Sequence, residues 1–178
     1  ITALIGMGSS PGFTNILAKY GCTKLDQVDK IEIYWAESGL DPTGPAAVDH
    51  WFHITSGEVP MYLDGELVTV PGLSGFESVS FVPPLNEMET VYTGHSEPMT
   101  LSRTIESVDE VVIKGVIYPT DMMNIYQTLN RIGCSGLDEF IVDENTTMPI
   151  RELAVKMIRA MPHFAPDFFE ELYSTGKE

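Results

Sequence analysis

The chain has 178 residues, enough to bury a core and within the usual range for one domain. Hydrophobic residues make up 43% and charged residues 20%, and no apolar run approaches the roughly 20 residues needed to cross a bilayer, which excludes a membrane-spanning helix. Acidic residues number 26 against 10 Lys plus Arg, a formal charge of -16 with no basic patch, so nucleic acid is set aside as a partner and a solvated acidic surface or a cationic ligand remains.

The chain opens inside an apolar run, Ile1-Thr2-Ala3-Leu4-Ile5, with no starting methionine, as a piece of something larger would, and Ile1 to Met7 reads as a buried strand running into glycines. Ile16, Leu17 and Tyr20 then recur at helical spacing up to Gly21, giving strand, turn and helix. Lys30 to Ala36 alternates, with Ile31, Ile33 and Trp35 on one face of a half-buried strand. The turn from Leu40 to Pro45 leads into a helix with Pro45 in its first position and a stripe of Val48, Trp51, Phe52 and Thr55. Asp64-Gly65, between Met61-Tyr62-Leu63 and Leu67-Val68-Thr69-Val70, predicts a hairpin, because both residues tolerate the positive φ of a type I′ turn. Short strands follow at Ser78 to Val82, Thr90 to Thr93 and Glu110 to Tyr118.

From Pro119 the period becomes helical, Met122, Ile125, Tyr126, Leu129 and Ile132 sharing a face that Gly133 ends. Pro149 starts another helix, with Ile150, Leu153, Ala154, Met157, Ile158 and Met161 inward until Pro162, and Pro166 to Tyr173 forms a last one before Gly176. The methionines on these faces fill core, and Phe164, Phe168 and Phe169 predict an exposed aromatic ridge for a partner to cover. Strands grouped mid-chain with helices at the ends predict an α+β fold of two layers: a mixed, mostly antiparallel sheet with helices packed on one face, in a single domain over residues 1–178. Cys22 and Cys134 lie far apart with no CxxC spacing, and no charged-then-apolar leader is present, which points to a cytoplasmic location.

The opening turn superficially resembles a dinucleotide fingerprint, but its pattern is Gly6-x-Gly8-x-x-Pro11. Proline lacks an N–H and puts a ring where that fold requires a third glycine. The alternative is a strand-to-helix junction in which Ser9 or Ser10 caps the helix and Pro11 takes its first turn, leaving N–H groups of Gly12 and Phe13 free to attract a carboxylate.

Three segments carry a family resemblance: Gly8-Ser9-Ser10-Pro11-Gly12-Phe13-Thr14-Asn15-Ile16-Leu17-Ala18, Tyr62-Leu63-Asp64-Gly65-Glu66-Leu67-Val68-Thr69-Val70-Pro71-Gly72, and Gly94-His95-Ser96-Glu97-Pro98-Met99-Thr100-Leu101-Ser102-Arg103. In this order and spacing they resemble the saccharopine dehydrogenase family, some of whose members carry an acid where this chain has Ser10. The resemblance implies an NAD(P)-dependent oxidoreductase acting on the carbon–nitrogen bond between an amino acid or amine and a second carbon skeleton. It implies further that this chain is the substrate-binding and dimerisation domain, a homodimer contact included. Residues 1–8 would connect it to a nucleotide-binding domain that carries NADP or NAD, so the fragment alone would bind no cofactor and catalyse nothing. Pro11 and Gly12 at this junction are the positions assigned to the cofactor. Saccharopine, with three carboxylates, would want several cations, of which the chain has few, and a carboxylated polyamine suits its acidity better. A stand-alone binding or assembly module without catalytic activity is the rival, and an enzyme complete in this chain, working through His95 and Glu97, is another.

Residue chemistry adds candidates. His95 and Glu97 offer a proton donor and acceptor to a substrate, and Arg103 a guanidinium that grips a carboxylate with two hydrogen bonds. Asn15, beside the N–H cluster, can orient an amide or carboxyl group, and the backbone at Pro71 and Gly72 follows the hairpin where the family contacts substrate. His50 and His53 share a helical face, but with no cysteine nearby and Trp51 and Phe52 between them a metal is not expected, and His53 is assigned to pocket lining.

Overall fold

The computed structural model describes residues 1–175. Its elements in chain order are α1 (Phe13–Cys22), β1 (Lys30–Ser38), α2 (Pro45–Thr55), β2 (Glu58–Leu63), β3 (Glu66–Pro71), β4 (Glu77–Ser80), β5 (Glu87–Tyr92), α3 (Glu97–Thr104), β6 (Glu110–Tyr118), α4 (Thr120–Arg131), β7 (Glu139–Asp143), β8 (Thr146–Pro149), α5 (Ile150–Phe164) and α6 (Pro166–Thr175). The fold is mixed α+β, as expected. Strands follow the order β3-β2-β6-β5-β4 with β1 also paired to β6, and the registers of β2 with β3, β2 with β6 and β5 with β6 are antiparallel. No helix among the described residues is long and apolar enough to cross a membrane.

The hairpin at Asp64-Gly65 forms as predicted: the two residues take φ of 53° and 77°, and β2 pairs with β3 from Leu63 opposite Glu66 to Glu58 opposite Pro71. Strand β6 spans the expected residues and is buried from Val111 to Ile117, an apolar stretch interrupted by Lys114 and Gly115. Helix α2 also has the predicted bounds and buries Val48, Trp51, Phe52, Ile54 and Thr55. Strands β4 and β5 are shifted by a few residues from their expected positions, within the usual uncertainty of an element's ends.

The chain divides into two units by its contacts. One comprises residues 1–35, 57–76 and 90–115, the other 36–56, 77–89 and the chain from 116 on. In the first, Ile31, Leu101, Ile105, Val108 and Val111 form one buried cluster, against which Ala18 and Cys22 of α1 pack, while Val59, Met61, Val112 and Ile113 form a second.

Two expectations in this unit are corrected. Residues 1–7 form no strand, and Ile1, Leu4, Ile5 and Met7 are exposed: among the described residues no strand pairs with this segment, and an extended backbone without a partner has no ladder to join. Helix α1 has the predicted period but turns its other face toward α3, and none of its residues is fully buried. Phe13, Ile16, Leu17 and Tyr20 are exposed, because the polar side meets α3: Asn15 Nδ2 donates to Thr100 Oγ1 at 2.8 Å and Lys19 Nζ to the Thr104 carbonyl at 2.9 Å.

In the second unit Tyr126 of α4 sits between Trp51 and Phe52, with ring centroids 5.7 and 5.5 Å away. Met122, Met123 and Tyr126 are buried there, but Ile132 is 70% exposed, so the inward face of α4 is narrower than the sequence stripe. Helix α5 buries Arg151, Ala154, Val155 and Ile158 and leaves Met157 at 46% exposure, a rotation from the expected face. Arg151 explains it: its Nε donates to the Ser135 carbonyl at 2.7 Å, holding that side of the helix inward. The helix runs past Pro162 to Phe164, since a proline in the last turn removes only one hydrogen bond near the end. The aromatic ridge does not form: Phe164 is exposed, but Phe169 is buried and meets Phe168 edge to face at 5.8 Å. The stop expected at Gly176 lies outside the described residues. Neither α3 nor the hairpin of β7 with β8 was anticipated.

Burial, aided by the charge of Glu37, pushes the Tyr126 phenol above its ordinary value of 10.0. The folded state therefore holds this proton more tightly than the unfolded chain. The associated stability is complete below pH 10 and is lost as the pH rises above it. Unfolding midpoints recorded from neutral to strongly alkaline pH fall in that range, and the Tyr126→Phe variant falls less steeply.

Candidate functional site

The site begins with the turn before α1. Gly8 N–H donates to the Pro11 carbonyl and Phe13 N–H to the Gly8 carbonyl, both at 2.9 Å, closing a turn from Gly8 to Phe13. Gly12 makes this possible: its φ is 125°, and a Cβ there would lie 2.7 Å from the Gly8 carbonyl oxygen and 2.8 Å from both the Gly6 carbonyl oxygen and the Gly8 nitrogen. The helix cap is Gly12, whose N–H donates to Asn15 Oδ1 at 2.9 Å, with Thr14 N–H donating to the Ser9 carbonyl at 3.0 Å. The N–H groups expected to be free at Gly12 and Phe13 are thus engaged within the turn, and neither Ser9 nor Ser10 caps the helix through its side chain.

Ser10 points elsewhere. Helix α3 begins at Glu97, with Ser96 as its cap residue and Pro98 in the first turn, so the Glu97 carboxylate occupies the end where the helix dipole favours an anion. Glu97 is 0% exposed. Its Oε1 accepts hydrogen bonds from Ser10 Oγ at 2.5 Å and Thr14 Oγ1 at 2.7 Å, while Oε2 has no hydrogen-bond partner among the described residues. His95, nearly buried, places Nδ1 2.8 Å from Ser10 Oγ and 3.9 Å from Glu97 Oε2, and its ring stacks on Trp35 with centroids 5.6 Å apart. The indole can lie there because position 115 is glycine: a Cβ on Gly115 would stand 2.2 Å from Trp35 Cε2 and Cζ2.

The order of the bonds decides the chemistry. Ser10 has one hydroxyl hydrogen, which goes to the Glu97 carboxylate, so His95 Nδ1–H donates to Ser10 Oγ and the tautomer follows from the network. A hydrolytic triad puts the imidazole between hydroxyl and carboxylate. Here the hydroxyl lies between imidazole and carboxylate, and His95 cannot take its proton. The arrangement fixes the orientation of an imidazole and ties α1 to α3 through a buried charge.

Gly12, Asn15, His95 and Glu97 therefore come together, joined by Ser10, Thr14 and Trp35, which sequence reasoning had not assigned to a site. Arg103 is exposed in the last turn of α3, where a cation suits the helix dipole, six residues along from Glu97. Pro71 ends β3 with its carbonyl accepting from Ser74 Oγ at 2.6 Å, and Gly72 N–H donates to the Gly57 carbonyl at 2.8 Å. His53 is exposed on α2, its ring 6.4 Å from that of His50. The signal for α3 was present in Ser96-Glu97-Pro98, a cap residue, an acid and a first-turn proline.

No family model matches the sequence. Among solved structures the chain is similar to apo histidine-tagged saccharopine dehydrogenase (L-Glu forming) from Saccharomyces cerevisiae, with a TM-score of 0.51 and 14% identity. What the two share is a fold. The likeness covers 72% of this chain and 32% of the neighbour, so the chain spans about a third of that protein's length. A distant fold relationship to saccharopine dehydrogenase is thereby supported.

Proposed function

We propose that this chain is the substrate-binding and dimerisation domain of a saccharopine-dehydrogenase-like oxidoreductase, acting on the carbon–nitrogen bond of an amino-acid or polyamine imine. The observation that carries this reading is the fold likeness to a saccharopine dehydrogenase over 72% of the chain. Support comes also from the hydrogen bonds of Ser10, Thr14 and Asn15 to His95, Glu97 and Thr100, which join the first and third of the segments that resemble the family. On this reading the whole of residues 1–178 serves one role, residues 1–8 connect it to a nucleotide-binding part, and two copies pair.

The full-length enzyme would use NADP or NAD, but the opening turn does not fit a dinucleotide. A pyrophosphate needs unengaged N–H groups at a helix start, whereas those of Gly12, Phe13 and Thr14 are bonded internally and Pro11 has none. In the first unit the substrate contacts we propose are made by Asn15, Pro71, Gly72, His95 and Arg103, with the turn at Gly12 and the buried Glu97 holding His95 in place. Among them Arg103 supplies the bidentate grip on a carboxylate, and the network of Ser10 and Glu97 holds the His95 imidazole in place.

The test is titration of the full-length gene product with NADPH and NADH against a panel of amino acids, oxo acids and polyamines, following nicotinamide absorbance. One amine and carbonyl pair, or one secondary amine, turns over, and Arg103→Ala raises KM for it by about tenfold or more. Absence of turnover with every combination overturns the proposal.

A further inference from the structure

The second unit contains a cavity of about 350 Å³, a size found in ligand sites, which span roughly 300–1,000 Å³. Val48, Ile158 and Phe169 give it an apolar wall, and its polar lining includes Asp41 from the loop before α2, Arg159 from α5 and Tyr126 from α4. Tyr126 is 5% exposed and lines this cavity. Its phenol is a hydrogen-bond donor at neutral pH. Asp41 and Arg159 are exposed to incoming solutes, and neither belongs to the ion pairs found among the described residues.

We propose that this cavity binds a small apolar α-amino acid. A carboxylate on the Arg159 guanidinium, an ammonium on Asp41 and an aliphatic side chain against Val48, Ile158 and Phe169 would match each wall with its complement, and the Tyr126 hydroxyl would donate to the second carboxylate oxygen. A simple fatty acid leaves Asp41 unanswered, and an amine leaves Arg159 so. The site is separate from the network of Ser10, His95 and Glu97 and does not depend on the oxidoreductase reading.

Isothermal titration calorimetry of the full-length protein with L-leucine, 4-methylpentanoate and 3-methylbutylamine tests it. Leucine gives saturable binding, and each analogue lacking one charge binds at least about tenfold more weakly. Arg159→Gln, an exposed substitution with little effect on folding, weakens leucine at least about tenfold, which ties the heat to this cavity instead of to a substrate site. Tyr126→Phe keeps the ring packing and weakens leucine about threefold or more. No saturable heat with leucine, equal affinity for 4-methylpentanoate, or unchanged affinity in Arg159→Gln overturns the proposal.

Discussion

Replacing Glu97 with alanine lowers stability by about 3–5 kcal/mol, a fall in the unfolding midpoint of roughly 6–20 °C for a chain of this size. The carboxylate is wholly buried and is the acceptor for two hydroxyls, those of Ser10 and Thr14. Removing it leaves both donors without a partner in a place water does not reach, and each such group costs about 1–3 kcal/mol. His95 also loses the fixed hydroxyl on which its Nδ1 depends. Glu97→Gln retains an oxygen in the Oε1 position and so loses less, about 1–2 kcal/mol for exchanging a charged acceptor for a neutral one. Thermal melts and urea unfolding of the two variants give the ranking, and a loss below about 1 kcal/mol for Glu97→Ala contradicts the network described above.

Gly12→Ala costs about 3–5 kcal/mol, from two sources that act together. A residue with a Cβ is strained by about 1–3 kcal/mol at φ 125°, and the three backbone atoms within 2.8 Å of the new methyl cannot swing aside as a side chain would. The turn has to open, and with it go the bonds from Gly8 to Pro11 and from Phe13 to Gly8 that aim Ser10 at α3. Gly21→Ala is the matched control. It lies in α1 with nothing within 4 Å of the added Cβ, and there alanine stabilises by about 0.5–1 kcal/mol. Because Gly12 and Glu97 act through the same hydroxyl, the double variant Gly12→Ala, Glu97→Gln loses less than the sum of the singles.

Elements whose burial is signalled by their own residues were legible in the sequence. Strand β6 is a mostly apolar stretch, α2 carries its stripe between Pro45 and Gly57, and the Asp64-Gly65 turn needs only two residues with positive φ. Helix α3 and the hairpin of β7 and β8 were not legible for opposite reasons. The first has few apolar residues, Leu101 being its main anchor, and the second is exposed along all of β7, so no alternation marks it. For α1 the period was readable but the side turned toward α3 was not, because the choice rests on Asn15, Lys19 and Thr14 finding partners in a helix more than eighty residues later. The site followed the same division. His95, Glu97, Asn15 and Gly12 stood out by type and by family resemblance, while Ser10 was read as a cap because its partner lies 85 positions away and a serine before a helix has only local choices in a linear view.

Gly115 shows how little matter decides where the imidazole stands. A hydrogen in place of a methyl on β6 lets an indole settle against the strand, and that indole is the shelf on which His95 rests. The histidine is aimed from one side by a hydroxyl and supported from the other by an absence, so a variant changed at positions 10 and 97 still needs the bare backbone at 115 to keep the ring in place.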